Sequence, residues 1–392
     1  MMTRRAAAHT AAITALSYSK ILGANDRIGL GVIGTGGRGT YVMGLFHKNY
    51  DVDVRAFCDV YPARFRDATA LVPNAKTFGD HRKLLELKEV DAVLIGSPDH
   101  WHKDHAMDAL NAGKDVYSEK PMCRLREEAP VMVKTARATN RILQIGLQQR
   151  SGEIYTEPLE RFVRNGAIGK ISHIDAVWHT GVPAPMKKEP AQKPADLDWL
   201  RFLGPVSYRE WYPPMYFNFR AFLEFNGGKM TDFGHHWLDV VHMYMGERPP
   251  RAVTFAGGIF YNREDGRNAP DTVNALFEYD GFTVLFQSNA YGVAPEYGIT
   301  FYGEGGRLFV NRNRWEFTPP GRNAEPIKRT IEGDITADHV RNFLDCCKSR
   351  KLPNADAAIA SISILAPLLA VQSYEEQRRI RFDPVRLEVL PF

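Results

Sequence analysis

The sequence predicts two domains. Residues 27–150 read as a doubly wound parallel α/β domain, and residues 151–392 as an α+β domain with a large, mostly antiparallel open sheet. Three observations predict this. The β-branched run Ile28–Ile33 flows straight into Gly34-Thr35-Gly36-Gly37-Arg38-Gly39. Strand-like and helix-like stretches then alternate with short links as far as Gly146. Beyond residue 250, strand-like runs follow one another with turn pairs between them. A chain of 392 residues also exceeds what one core usually organises.

Ile28–Ile33 has the continuous apolar character of a strand buried on both faces. The glycine turn after it leads into a helix from Thr40 to Lys48. Glycine is needed there for the tight turn, for close approach of backbone to a pyrophosphate, and for helix–strand packing. The helix start then offers unpaired N–H groups to the phosphates. A second strand, Val52–Cys58, ends in Asp59, twenty positions beyond Gly39. A carboxylate there accepts from the adenosine ribose hydroxyls and repels a 2′-phosphate, favouring NAD over NADP. Arg64 and Arg66, a few residues on, leave NADP open as an alternative. An Asp at a strand end can simply start a turn; strand, glycines, helix and spacing together favour the cofactor. Gly34, Gly36, Gly37, Arg38, Gly39 and Asp59 are therefore candidate cofactor contacts.

The alternation continues through a helix (80–87), a strand (92–95), a helix (102–111), a strand (115–117), a helix (124–138) and a strand (142–146). Ligands of such sheets sit beyond the carboxyl ends of the strands. That places Ser97, Pro98 and His102, then Glu119 and Lys120, at the cofactor. The second domain opens with a helix (152–164) and a strand (171–179), followed by an irregular stretch over 180–214. A helix at 231–245 precedes strands at 251–260, 272–279, 282–290, 297–303 and 307–317. Asp280-Gly281 and Gly305-Gly306 supply hairpin turns. Helices at 336–348 and 354–376 are expected to pack back against the body.

Composition excludes several classes. The chain is 44% apolar and 24% charged, with no uninterrupted apolar run that spans a bilayer, so no membrane partner is expected. The formal charge of +4 sits largely in the leader, where Arg4, Arg5 and Lys20 meet no acid, so no nucleic-acid partner is expected. Cys58, Cys123, Cys346 and Cys347 are too irregularly spaced for a disulfide framework or a zinc site. Residues 1–26, with Arg4-Arg5 before small and apolar residues, read as a twin-arginine export signal, hence a periplasmic protein. The alternative is an N-terminal arm on a cytoplasmic protein.

Hydride transfer from a carbinol carbon needs a base for the hydroxyl proton and a donor for the oxygen. Asp232 and His236 lie four apart at a helix start and share a face. Lys120 lies at a strand end beside the expected nicotinamide. Taken singly, Lys120 reads as a turn residue, His236 as a core histidine and Asp232 as a helix-capping group. Only the joint agreement of the three residues with the motifs of a known family, which the chain resembles, reverses those readings. Asp232, His235, His236, Asp239 and His242 do not form an HExxH-like pair, and no metal is expected. Among the aromatic-rich segments, His179, Tyr216 and Arg220 are candidate substrate contacts.

These motifs, in order, resemble the Gfo/Idh/MocA family. They are the glycine turn with Asp59, Pro98 with His102, Glu119-Lys120-Pro121, Arg150 after Gln148-Gln149, and Gly227-Gly228 leading to Asp232, Gly234, His236 and Asp239. The resemblance runs from about Arg27 to the C-terminus. It implies a Rossmann domain, NAD(P), Lys120 and His236 as proton-handling groups, and Asp232 as a partner of substrate or histidine. It also implies Arg150 at the substrate, a cis Lys120–Pro121 bond, and a sheet used for homo-oligomer contacts in a dimer or tetramer. The implied activity is NAD(P)-dependent oxidoreduction of a sugar, polyol or sugar derivative. The alternative is an NAD-retaining glycoside hydrolase working by transient oxidation. A third class, a non-catalytic NAD-binding protein, is disfavoured by the intact Lys120, Asp232 and His236.

Overall fold

The computed structural model describes residues 27–293 and 296–391. The expected export leader lies outside the described residues. Strands β1 (Ile28–Ile33), β2 (Val52–Cys58), β3 (Lys76–Phe78), β4 (Ala92–Ile95), β5 (Asp115–Ser118) and β6 (Leu143–Ile145) form a parallel sheet in the order β3-β2-β1-β4-β5-β6. The order reverses direction between β1 and β4, and this switch point is where the glycine turn lies. All six residues of β1 are buried, as an apolar run covered on both faces should be.

The second sheet is built from β7 (Ile171–Val177), β8 (Ala252–Gly258), β9 (Thr272–Glu278), β10 (Thr283–Ser288), β11 (Gly298–Gly303), β12 (Gly306–Val310), β13 (Arg314–Thr318), β14 (Ile327–Thr330), β15 (Ile380–Asp383) and β16 (Glu388–Val389). Its order is β14-β13-β12-β11-β7-β10-β9-β8-β15-β16. Every pair described in it is antiparallel except β7 with β10. Gly281, at φ +90°, turns β9 into β10. The stretch 307–317, expected as one strand, is two: β12 and β13 are separated by a hairpin at Arg312-Asn313. The short strands β3, β14, β15 and β16 were not expected from the pattern.

One face of this sheet is covered by the helix His235–Met245. Its Trp237, Leu238, Val240 and Val241 are fully buried against Ile174, Ala176, Val284, Phe286 and Phe301. Each such side chain contributes about 1.5–3 kcal/mol of burial, and Trp237 Nε1 also donates to Val177 O at 3.0 Å. The helix entry, Met230–Gly234, is a π-helical turn.

The C-terminal helices return to the first domain. Val340, Phe343 and Leu344 of Ile335–Ser349 join the core around Phe46 and Tyr117. Arg341 and Lys348 pair with the buried Asp51 at 2.9 and 2.6 Å. The expected final helix is broken at Ile364 into Ala357–Ser363 and Leu365–Glu376. By length and composition this stretch is apolar enough to cross a membrane. Here Ala360, Ile364 and Leu368 pack into one core, and Leu365, Leu369 and Ala370 into the other.

Candidate active site

A cleft of about 470 Å³ runs along the carboxyl ends of β1, β2, β4 and β5 and is closed by residues of the second domain. At one end lies the glycine turn. A Cβ on Gly34, at φ +89°, would sit 2.5 Å from Ser97 N, and one on Gly39 would sit 2.0 Å from Gly34 O. These two glycines allow the turn and the helix to close on the sheet. At Gly36 and Gly37 an added Cβ meets nothing within 4 Å, so their backbone faces open cleft. The helix Gly37–His47 has Gly36 as its N-cap and no side-chain cap, leaving its first N–H groups available to an anion. This cradle fits a pyrophosphate.

Asp59 closes that end. Its Oδ2 accepts from Thr35 N at 2.9 Å and its Oδ1 from Tyr61 N at 3.0 Å, which fixes the carboxylate at the tip of β2. Burial pushes its pKa up, and those N–H bonds oppose the shift. Arg64 also lines the cleft, but its Nε points to the Tyr216 hydroxyl at 3.4 Å. Arg66 pairs with the exposed Asp67 and does not line the cleft, which removes it as a phosphate contact. NAD is therefore expected to bind roughly 100-fold more tightly than NADP, because a 2′-phosphate would meet the fixed Asp59 charge. Calorimetric titration of both cofactors checks this; equal or tighter NADP binding would mean that Arg64 prevails.

The two strand-end segments are tied together by His102. Its Nε2 faces Ser97 O at 2.8 Å and its Nδ1 faces Pro121 O at 2.6 Å, so it positions the cofactor site more than it touches the cofactor. The Lys120–Pro121 bond is cis. Glu119 pairs with Arg38 at 2.9 Å, linking β5 to the glycine turn.

The opposite end gathers the candidate proton-handling residues Lys120, Asp232 and His236. Lys120 Nζ donates to Asp232 Oδ1 at 2.6 Å and to Asp232 O at 2.8 Å. Arg220 Nε approaches the same Oδ1 at 3.3 Å. Burial alone would raise the Asp232 carboxyl, but Lys120 and Arg220 outweigh it and hold it below the usual carboxylate range. Asp232 thus serves Lys120 and Arg220; no bond joins it to His236. The group that orients His236 is Gln149, whose Oε1 lies 3.1 Å from Nδ1. With that oxygen as acceptor, Nδ1 carries the proton and Nε2 keeps its lone pair. Burial first, then Lys120 and Arg312, push the His236 pKa well below its ordinary value, so the ring is neutral and ready to accept a proton.

Two expected substrate contacts, Arg150 and His179, lie outside the cleft, and a third, Tyr216, lies at its Asp59 end. Arg150 is buried in a fork on Asp239, with both carboxylate oxygens 2.9 Å from its Nε, and its Nη1 reaches Glu247 at 2.7 Å. It does not line the cleft. It is a structural ion pair, of a kind whose breaking costs about 3–5 kcal/mol, and it also occupies Asp239. Among the described residues, no group of three or more His, Cys, Asp or Glu is arranged to hold a metal ion. His179 lies beyond the end of β7, accepting from Asn289 N at 3.0 Å, outside the cleft. Tyr216 does line the cleft, but at the Asp59 end beside Arg64, and burial pushes its hydroxyl up to about 12. Arg220 alone of the four stands where a substrate contact should.

Sequence reasoning missed a strap from the second domain. Asp198 N donates to Val60 O at 3.0 Å. Arg201 Nη1 donates to Gly79 O at 3.1 Å. Phe202 O accepts from Trp101 Nε1 at 2.9 Å and faces His100 Nε2 at 2.8 Å. Arg201, Phe202, Tyr216 and Phe217 thereby line the cleft near Asp59. Arg312 was missed as well.

Fold and cleft together define a class: oxidoreductases that hold a dinucleotide across a parallel sheet and do their chemistry against a second domain. Residues 28–147 match the NAD-binding Rossmann-fold domain of the Gfo/Idh/MocA oxidoreductase family, and residues 203–309 match that family's C-terminal domain. The chain belongs to this family, and NAD(H) is its cofactor. It is similar to myo-inositol 2-dehydrogenase of Thermotoga maritima, with 25% identity over 91% of this chain and 99% of the relative. It is also 28% identical to a glycosyl hydrolase family 109 protein of a Shewanella species, over 39% of this chain but only 35% of that protein. Among solved structures, levoglucosan dehydrogenase in complex with NADH and levoglucosan shares the fold at TM-score 0.73, with 15% identity, covering 91% of this chain and 99% of that one.

Proposed function

We propose that this protein transfers hydride between NAD and a CH–OH carbon of a sugar, polyol or sugar derivative. The observation that carries the reading is the convergence of Lys120, Asp232 and neutral His236 in the same cleft as the open glycine cradle. When bound, NAD supplies the hydride acceptor. His236 Nε2 takes the hydroxyl proton, and Lys120 donates to the oxygen as it becomes a carbonyl. Asp232 holds Lys120 in place, and Arg220 reaches the same carboxylate. The full-length likeness to an inositol dehydrogenase supports a polyhydroxylated substrate. Incubation with NAD and a panel of inositols, hexoses and glycosides should give reduced cofactor with at least one of them. Silence across the panel in both directions removes the reading. The strap over the adenosine end favours a second reading, glycoside cleavage with the cofactor retained.

Export through residues 1–26, and assembly as a dimer or tetramer through the open sheet, belong to the same proposal. Expression of the full chain followed by sizing of the periplasmic fraction tests both. Recovery there as a dimer or tetramer is expected; a cytoplasmic monomer removes both.

A further inference from the structure

We propose that the substrate is a sugar acid whose carboxylate pairs with Arg312. The inference rests on the hydride-transfer reading and names its substrate class. Arg312 occupies the two-residue turn between β12 and β13. Asn311 builds that turn: its Oδ1 accepts from the N–H groups of Asn313 and Arg314, both at 2.9 Å, and its own N–H donates to Arg314 O at 3.0 Å. From this hairpin end the guanidinium enters the cleft, 4.9 Å from the centre of the Trp178 ring. That ring stacks in turn on Phe233 at 5.0 Å and on His236 at 5.9 Å. The cation is fixed beside the proton-transfer residue.

No described residue accepts a hydrogen bond from this guanidinium, and its Nε is buried without a partner. The other cleft cations are engaged. Lys120 and Arg220 share Asp232, Arg38 takes Glu119, Arg201 takes Asp80 and Asp198, and Arg64 has the Tyr216 hydroxyl. Burial, the largest cause, pulls the Arg312 pKa below the ordinary arginine value; Tyr155, Tyr297 and Glu119 offset it only in part, and no carboxylate among the described residues forms an ion pair with it. Burying a guanidinium unpaired is costly, and a cleft that does so is built to receive an anion.

The cofactor's phosphates have their own seat at the Gly37 helix start; Arg312 stands near His236, with the Arg38–Glu119 pair also within electrostatic reach. A sugar hydroxyl would leave the charge uncompensated. A carboxylate matches the planar fork and supplies one negative charge for one unpaired cation. Once held, it also decides which neighbouring carbinol faces Lys120 and His236.

The test is steady-state NAD reduction by the full-length protein with glucuronate and galacturonate, with glucose and galactose, and with the corresponding hexose phosphates. The acids should exceed the neutral sugars in kcat/KM by roughly 100-fold. Arg312→Met should narrow that ratio roughly 10- to 100-fold, mainly through KM, with NAD affinity retained; Arg312→Lys should restore part of it. Thermal melting supplies a readout free of turnover. A sugar acid should raise the Tm of the NAD-loaded wild type and not that of Arg312→Met, whose ligand-free Tm should not fall. Preference for neutral sugars or phosphates, or loss of NAD affinity in Arg312→Met, would overturn the assignment. If no substrate class reduces NAD, the hydride-transfer reading fails, and the melting shift still decides Arg312.

Discussion

Lys120→Met and His236→Ala each lower turnover by roughly 10²- to 10⁴-fold while NAD affinity changes little. In the proposed mechanism both side chains act on the substrate oxygen, and neither belongs to the glycine cradle or to Asp59. Because the two groups work on one proton-transfer step, the double variant should lose far less than the product of the single losses. The pH profile gives a second, signed expectation. Burial and the neighbouring cations hold the His236 pKa well below 6.5, so the acid limb of kcat should fall below that value. Lys120 is the largest of those cations in its effect on His236. Removing its charge lets the His236 pKa rise, so the acid limb of the residual activity in Lys120→Met should move to higher pH. Single-turnover rates across pH, with NAD titrations alongside, check both points. Normal turnover with weakened NAD binding would move these residues out of the proton-handling role.

The parts of the site legible in the sequence are those set by local chain geometry. The glycine turn, the strand before it and Asp59 after β2 lie within one βαβ unit, where turn chemistry and spacing nearly dictate position. The placement of Lys120 and His236 in one cleft was legible only through the motifs that the chain shares with its family, since strand end and helix face alone allow a turn residue and a core histidine. What failed was direction and long-range contact. The family resemblance placed Arg150 at the substrate, but its guanidinium turns inward to Asp239 and Glu247, a choice made by two acids far along the chain. Tyr216 was placed in the right cleft at the wrong end, because the strap folds over Asp59 and Arg64 before returning to Arg220. Gln149 stood beside Arg150 in the motif and drew no attention, since an amide carries no titration signal. Arg312 was hidden because 307–317 alternates like one strand. The turn is made by the Asn311 side chain and has no glycine to mark it; the pair of asparagines around Arg312 was the available cue.

The strap makes the reaction class testable through the cofactor. For NAD to leave by the adenosine end, the contacts of Asp198 with Val60, Arg201 with Gly79 and Asp80, and Phe202 with Trp101 must open together. The protein is therefore expected to purify with nicotinamide bound, and cofactor exchange should be slow against chemistry. A dehydrogenase so built shows a burst of about one equivalent of NADH per site, then a slower steady rate set by release. Arg201→Ala should raise the steady rate and weaken NAD binding by roughly 10-fold or more, since it frees one anchor of the strap without touching Lys120 or His236. A hydrolase built on the same parts returns the hydride before product departs, so it needs no cofactor release. It requires a leaving group β to the transient ketone. Free sugars and their aryl glycosides, supplied in parallel while NADH and aglycone are followed together, separate the two. Steady NADH from a free sugar, accelerated in Arg201→Ala, is the expected result, because net redox chemistry is the simpler use of one base, one oxygen donor and one cofactor. Aglycone release without net NADH, at a rate indifferent to Arg201, would instead assign the strap to keeping the cofactor in place through every turnover.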